Sequence, residues 1–233
     1  MDLDVVFLGT GGSVPSARRN TAAVLVRRGG DRILFDCGEG TQRQMQRSIG
    51  LIPVADIFLT HLHADHYLGL PGLLKSYEMN DRVEPLKIHG PPGLIDLMEA
   101  LRRVIGRPAY PIELVELNGG ETAVRDGYAI EPFEVEHRVL ANGYALVEDS
   151  RPGRFDPERA RALGVDEGPD FGALQRGERV RGANGEVAPE QVMDAQRPGR
   201  KVVVTGDTEP CESTRHQPQQ QDTALRSDLL FHT

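Results

Sequence analysis

From Phe58 to His66 the chain reads F-L-T-H-L-H-A-D-H, an apolar strand running straight into His61, His63, Asp65 and His66. Imidazole and carboxylate are the ligands that Zn²⁺ takes in catalytic sites. In an extended segment, side chains two residues apart point the same way. His61 and His63 can therefore close on one ion. Asp65 and His66, past the turn, can serve a second. Two ions about 3.5–4 Å apart can hold both the attacking and the leaving oxygen of a displaced phosphate. No ordinary turn needs three histidines.

Further motifs extend this pattern along the chain. They are F-L-G-T-G-G-S-V-P-S-A-R-R-N (Phe7–Asn20), L-F-D-C-G-E-G-T-Q (Leu34–Gln42), G-L-P-G-L-L (Gly69–Leu74), V-E-H-R (Val135–Arg138) and T-G-D-T (Thr205–Thr208). With H-x-H-x-D-H they resemble the metallo-β-lactamase superfamily and, within it, the tRNase Z (ribonuclease Z) family. The resemblance runs over roughly residues 3–210. It implies an α+β fold, the αβ/βα sandwich of that superfamily, with an inserted flexible arm.

The resemblance also implies a site. His61, His63 and His137 would hold a first zinc, Asp65 and His66 a second, and Asp207 would bridge them. The implied reaction is removal of the 3′ trailer from precursor tRNA, leaving a tRNA 3′-OH and a 5′-phosphorylated trailer. Asp65 would act as general base, beside zinc ions that acidify water and neutralise charge on phosphorus. Asp36 would orient a ligand histidine or simply form a turn. The loop containing Pro15, Arg18, Arg19 and Asn20 resembles the family's P-x-K-x-R-N loop, which meets the tRNA 3′ end, although Ala17 stands at the Lys position. Gly168, Pro169 and Arg176 resemble the tRNA-gripping elements of the arm. The family forms homodimers, so a homodimer is expected.

The whole chain sets bounds on this reading. Its 233 residues fit one domain, 1–233, with the arm at about 149–200. No apolar run approaches a membrane span. Met-Asp-Leu-Asp lacks the order of a secretory signal. Cys37 and Cys211 make no disulfide framework, so cytoplasmic residence is expected. Cys37 sits among the site motifs, where a third-ligand role competes with a reduced, partly buried thiol. The net charge of −8 runs against phosphate binding, but residues 151–201 hold ten basic and nine acidic side chains. Basic residues are 24 Arg against 3 Lys, which suits bidentate phosphate contacts.

Several elements must position these groups. Strands are expected at 3–8, 21–26, 32–36, 55–60, 86–89, 112–117, 122–124, 128–135, 142–148 and 201–205, by alternation or short apolar runs. Helices are expected at 39–49, 67–79 and 93–105. Residues 149–200 carry five prolines, many charges and little apolar periodicity, so a long loop or an arm is expected there.

The C-terminus departs from the family, whose tail carries His-Glu-Ala-Thr, a His-Ser-Thr element and a last histidine ligand. Leu229–His232 resembles the start of the first of these, which makes His232 a catalytic candidate. The expectation is a fold whose C-terminal part is cut short. The alternatives are a catalytically weak or inactive metal- or tRNA-binding homologue, or another phosphodiesterase of the same fold.

Overall fold

The computed structural model of the protein describes residues 2–209, 211 and 229–231. Six short apolar runs build the first sheet: β1 (Leu3–Gly9), β2 (Ala23–Arg28), β3 (Asp31–Phe35), β4 (Asp56–Phe58), β5 (Leu86–Gly90) and β6 (Ile112–Glu116). They lie in sequence order. β1, β2 and β3 pair antiparallel, then β3 to β6 run parallel. Parallel strands are covered on both faces, which is why β4 is buried at every residue.

One face of this sheet is covered by helices. α1 (Thr41–Ser48), α2 (Ala64–Tyr67), α3 (Leu70–Met79) and α4 (Leu94–Ile105) fill the parallel connections. Met45, Leu70, Leu73, Tyr77, Leu94 and Met98 pack on Leu25, Leu34, Ile57, Leu59 and Ile88. Each fully buried side chain of this size contributes about 1.5–3 kcal/mol.

The other face meets a second sheet. It contains β7 (Ala123–Arg125), β8 (Tyr128–Glu134) and β9 (Asn142–Glu148). After an insert carrying β10 (Val180–Gly182) and β11 (Gly185–Val187), it gains β12 (Lys201–Val204) and β13 (Leu229–Phe231). The order is β13-β12-β9-β8-β7. The two sheets interlock through Phe35, Phe58, Tyr144, Ile130, Leu146 and Val204. Phe58 stacks on Phe35 at 5.5 Å and meets the Tyr144 ring edge-on at 5.1 Å. Tyr144 donates its hydroxyl proton to the Leu59 carbonyl at 2.9 Å, which pins the two sheets together just before Thr60.

This topology collects chain ends at one edge. β3, β4, β8 and β12 all finish there, and β9 starts there: the Asn142 amide donates to the Thr60 carbonyl at 2.8 Å. In sheets of this kind ligands bind beyond the carboxyl ends of the parallel strands.

Two sequence expectations change. The single helix 67–79 is two helices, α2 and α3, broken at Gly69. The Gly69 amide donates to the Cys37 carbonyl, and a Cβ there would lie 2.2 Å from the Gly38 oxygen. Close backbone approach therefore outweighs helix propensity.

The second change is in residues 149–200, which are not a plain loop. α5 (Pro157–Ala162) and α6 (Pro169–Gln175) pack with the β10–β11 hairpin on a separate apolar cluster. Ala160, Val165, Phe171, Leu174, Val187 and Val192 are its centre. Asp156 caps α5 by accepting from the Arg159 amide, and proline opens both helices. A neck joins this unit to β9 and β12, with Arg151 paired to Arg197 and Phe155 to Met193.

Candidate metal centre

Three histidines from two segments converge at the strand ends. His61 follows β4, His63 precedes α2, and His137 follows β8. His63 Nδ1 lies 3.0 Å from His61 Nε2 and 3.3 Å from His137 Nε2. Nitrogens bound tetrahedrally to one zinc, each about 2.0–2.1 Å from it, would be spaced about 3.4 Å apart. The donor set therefore fits a divalent cation. A second group joins His61, His66 and Asp207, and within each group the donor atoms lie within 4.8 Å of one another. Asp207 Oδ1 is 3.4 Å from His66 Nε2.

Below the donors sits a buried polar network. Asp36 adopts φ 57°, a left-handed conformation that aspartate tolerates. Its Oδ2 accepts from His66 Nδ1 at 2.8 Å, and its Oδ1 accepts from the Thr60 amide at 2.8 Å. Asp36 therefore both forms the turn and orients a histidine, so the two sequence readings hold together. With Nδ1 occupied, His66 presents Nε2 to the site, the usual arrangement behind a metal-binding imidazole.

The charges in this network are unequal. Burial, helped by the neighbouring His66, lowers the pKa of His61 to about 4, so its ring is neutral at pH 7 with a lone pair to give. Burial also opposes charge on His66, but the Asp36 and Asp207 carboxylates outweigh it and raise its pKa to about 10. Before a cation binds, protonated His66 balances those two carboxylates. A cation held there would replace that proton.

Asp65 stands at the rim, its side chain 12 % exposed, with Oδ2 3.7 Å from His66 Nε2. Its Oδ2 accepts from the Ser13 amide at 2.7 Å. That contact ties the Gly9–Asn20 loop to the site. Within the loop, Ser16 Oγ accepts from the Arg18 and Arg19 amides, and both arginines are exposed beyond Pro15. Asn20 has a structural duty: its amide group donates to the Leu8 and Gly40 carbonyls.

Other candidate residues are placed elsewhere. Cys37 is fully buried in the helix-side core, where burial pushes its thiol pKa up. It belongs to neither donor group. Of the two sequence readings, burial favours the reduced thiol: Cys37 contributes backbone, its amide donating to the His66 carbonyl. Gly168, Pro169 and Arg176 lie in the insert, where Arg176 pairs with Glu178 at 2.8 Å. The insert joins β9 at Glu148, whereas the donors sit at the Asn142 end. Seven residues of strand put about 20 Å between those ends. His232 lies outside the described residues.

Ser13 and Thr60 escape the sequence reading. Ser13 acts through its backbone, which no side-chain pattern marks. Thr60 reads only as the last residue of a strand.

Beside the donors, a cleft of about 490 Å³ is lined by Pro91, Pro92, His137, Arg138, Val139 and Leu140. Val139 and Leu140 are 40 % and 66 % exposed.

The paired sheets place the twin donor groups at their shared edge, and comparison with known proteins identifies the class. The family described as "Metallo-beta-lactamase superfamily" matches residues 17–224. Ribonuclease Z from Natronomonas pharaonis is 49 % identical, with all of this chain aligned to 74 % of that protein. Ribonuclease Z from Myxococcus xanthus is 46 % identical, over 99 % of this chain and 74 % of its own length. The crystal structure of the short form of human tRNase Z superposes with TM-score 0.57 and 31 % identity, covering 62 % of this chain and 64 % of that one. A metallo-β-lactamase-fold protein from Bacillus subtilis, 15 % identical, shares the fold at TM-score 0.63 over 98 % of this chain and 69 % of its own. The chain belongs to the ribonuclease Z family of the metallo-β-lactamase superfamily. No helix among the described residues is long and apolar enough to cross a membrane.

Proposed function

We propose that this chain is a zinc-dependent endoribonuclease that cuts the 3′ trailer from precursor tRNA. The observation that carries this reading is the convergence of two donor groups beside Asp65 in a chain of the ribonuclease Z family. His61, His63 and His137 would hold one ion, and His66, Asp207 and Asp65 would serve the other. Zinc held by these residues would supply an acidified water and positive charge to offset the charge on the scissile phosphate. Asp65, its Oδ2 fixed by the Ser13 amide, takes the proton of the attacking water. Arg18 and Arg19, exposed on the loop that Ser13 ties to Asp65, would meet the phosphates at the tRNA 3′ end. Arg138, Val139 and Leu140 line the cleft on the His137 side and hold a nucleotide next to the cut.

The insert grips the tRNA body through Gly168, Pro169 and Arg176. Its attachment about 20 Å from the donors suits action on a tRNA held at a partner's site, and hence a homodimer. Residence in the cytoplasm suits Cys37 and Cys211, neither of which forms a disulfide.

The test is cleavage of a 3′-extended tRNA by the full chain with added zinc. Expected products are tRNA ending in 3′-OH and a 5′-phosphorylated trailer, with loss of cleavage in excess chelator. A folded, zinc-loaded chain that hydrolyses bis(p-nitrophenyl) phosphate yet leaves the precursor intact would overturn the RNA assignment.

A second expectation concerns the cleft. Arg138→Glu combined with Leu140→Asp is expected to raise KM for precursor about tenfold, equivalent to about 1.4 kcal/mol. Turnover of bis(p-nitrophenyl) phosphate, which is too small to need the cleft, stays the same. Unchanged precursor KM would remove the cleft from the substrate path.

A further inference from the structure

We infer that Thr60 is a positioning residue whose hydroxyl sets the tautomer of His61 and links both donor groups to the single carboxylate of Asp36. The inference rests on the metal-centre reading above.

Thr60 is fully buried. Its Oγ1 lies 2.9 Å from Asp36 Oδ2, 3.1 Å from Asp36 Oδ1 and 3.1 Å from His61 Nδ1. His66 Nδ1 is farther, at 3.4 Å, and has Asp36 directly at 2.8 Å. A hydroxyl has one proton to donate and two lone pairs to accept with. The Asp36 carboxylate can only accept, so the Thr60 proton goes to Asp36. Oγ1 must then accept from His61, which places the His61 proton on Nδ1. That leaves His61 Nε2 unprotonated, facing His63 Nδ1 at 3.0 Å. The same carboxylate thus orients His66 directly and His61 through Thr60.

The residue also touches the carriers of the remaining donors. A Cβ on Gly206 would lie 2.7–2.9 Å from Thr60 side-chain atoms, so the backbone presenting Asp207 packs directly on this side chain. The Thr60 carbonyl accepts from the Asn142 amide, and His61 bridges Ala141, in the segment that follows His137.

The test compares Thr60→Val, which keeps the shape but removes the hydroxyl, with Thr60→Ser, which keeps the hydroxyl. Zinc affinity is measured on the full chain by competition with a chelator of known affinity. Removing an outer-shell partner of a metal-binding histidine typically weakens binding about 10–100-fold, and that loss is expected for Thr60→Val. Thr60→Ser is expected to bind close to the native level. Long-range ¹H–¹⁵N correlation spectra of the native chain are expected to show His61 protonated at Nδ1. Thr60→Val should shift that signature, which loss of packing alone would not do.

Native zinc affinity in Thr60→Val overturns the inference while leaving the metal centre standing. So does equal weakening in Val and Ser, which would make the methyl group the important part. Should Thr60→Val not fold, the native spectrum decides: a proton on Nε2 of His61 overturns the inference. A native chain that binds no zinc overturns both the inference and the reading beneath it.

Discussion

Asp65→Ala is expected to lower kcat for precursor cleavage by about 10²–10⁴-fold, the usual loss when a positioned proton acceptor is removed. The geometry explains why the loss should fall on kcat. Asp65 has one oxygen fixed by the Ser13 amide at 2.7 Å and stands 3.7 Å from His66, at the mouth of the site. Among the described residues, neither exposed arginine of the adjoining loop forms an ion pair with its carboxylate. Substrate grip should therefore survive, with KM nearly unchanged. Asp65 is also a proposed zinc ligand, so metal content must be followed in parallel. Asp65→Asn keeps the size of the group and one oxygen for the Ser13 amide, but it cannot take a proton. Assayed at saturating zinc, Asn should be nearly as slow as Ala if proton transfer is the role. Recovery of the native rate by Asn at saturating zinc would show that Asp65 serves only to hold metal.

Much of the site was legible because its chemistry is local. His61, His63, Asp65 and His66 fall in one short segment, and strand periodicity alone pairs the first two. His137 and Asp207 are single residues far along the chain. Only the resemblance named them, since a lone histidine or aspartate at a strand end has no distinctive pattern. Thr60 and Ser13 were not legible at all: one acts through a hydroxyl shared among three partners, the other through its backbone.

The fold followed the same division. The strands and long helices showed their periods. The insert did not, because its helices span six and seven residues and its strands three each. Elements that short hold too few apolar positions to display a period. Their core forms only when Phe155, Phe171, Leu174 and Val192 come together from separate turns.

The foot of the insert supplies the other large effect: Glu148→Gln is expected to destabilise the chain by about 3 kcal/mol at pH 7. Glu148 ends β9 with its side chain 5 % exposed, between two arginines. Arg200 bonds both of its oxygens at 2.7 Å, and Arg28 reaches Oε1 at 3.0 Å. Arg28 belongs to the first sheet, while Glu148 and Arg200 flank the insert on the second. The Arg28 guanidinium also donates to the Asp126 and Gly127 carbonyls and lies 4.6 Å from the centre of the Tyr128 ring. One carboxylate therefore joins both sheets and closes the neck.

The Arg200 hydrogen bonds, with those of Arg28, outweigh burial and lower the pKa of Glu148 from 4.5 to about 2. An acid whose pKa falls on folding adds stability above its unfolded pKa. That stability is lost as pH drops through the folded value. The native chain should thus exceed Glu148→Gln by the full amount above about pH 5, and the gap should close between about pH 4 and pH 2. At neutral pH the difference corresponds to a fall in melting temperature of roughly 6–12 °C for a chain of this size. Below the melting range, zinc affinity should be unchanged, because the donors lie about 20 Å away along β9. Denaturant melts at pH 7 and pH 3 provide the check. A gap that persists undiminished at pH 3 would place the effect in packing rather than in the charge of Glu148.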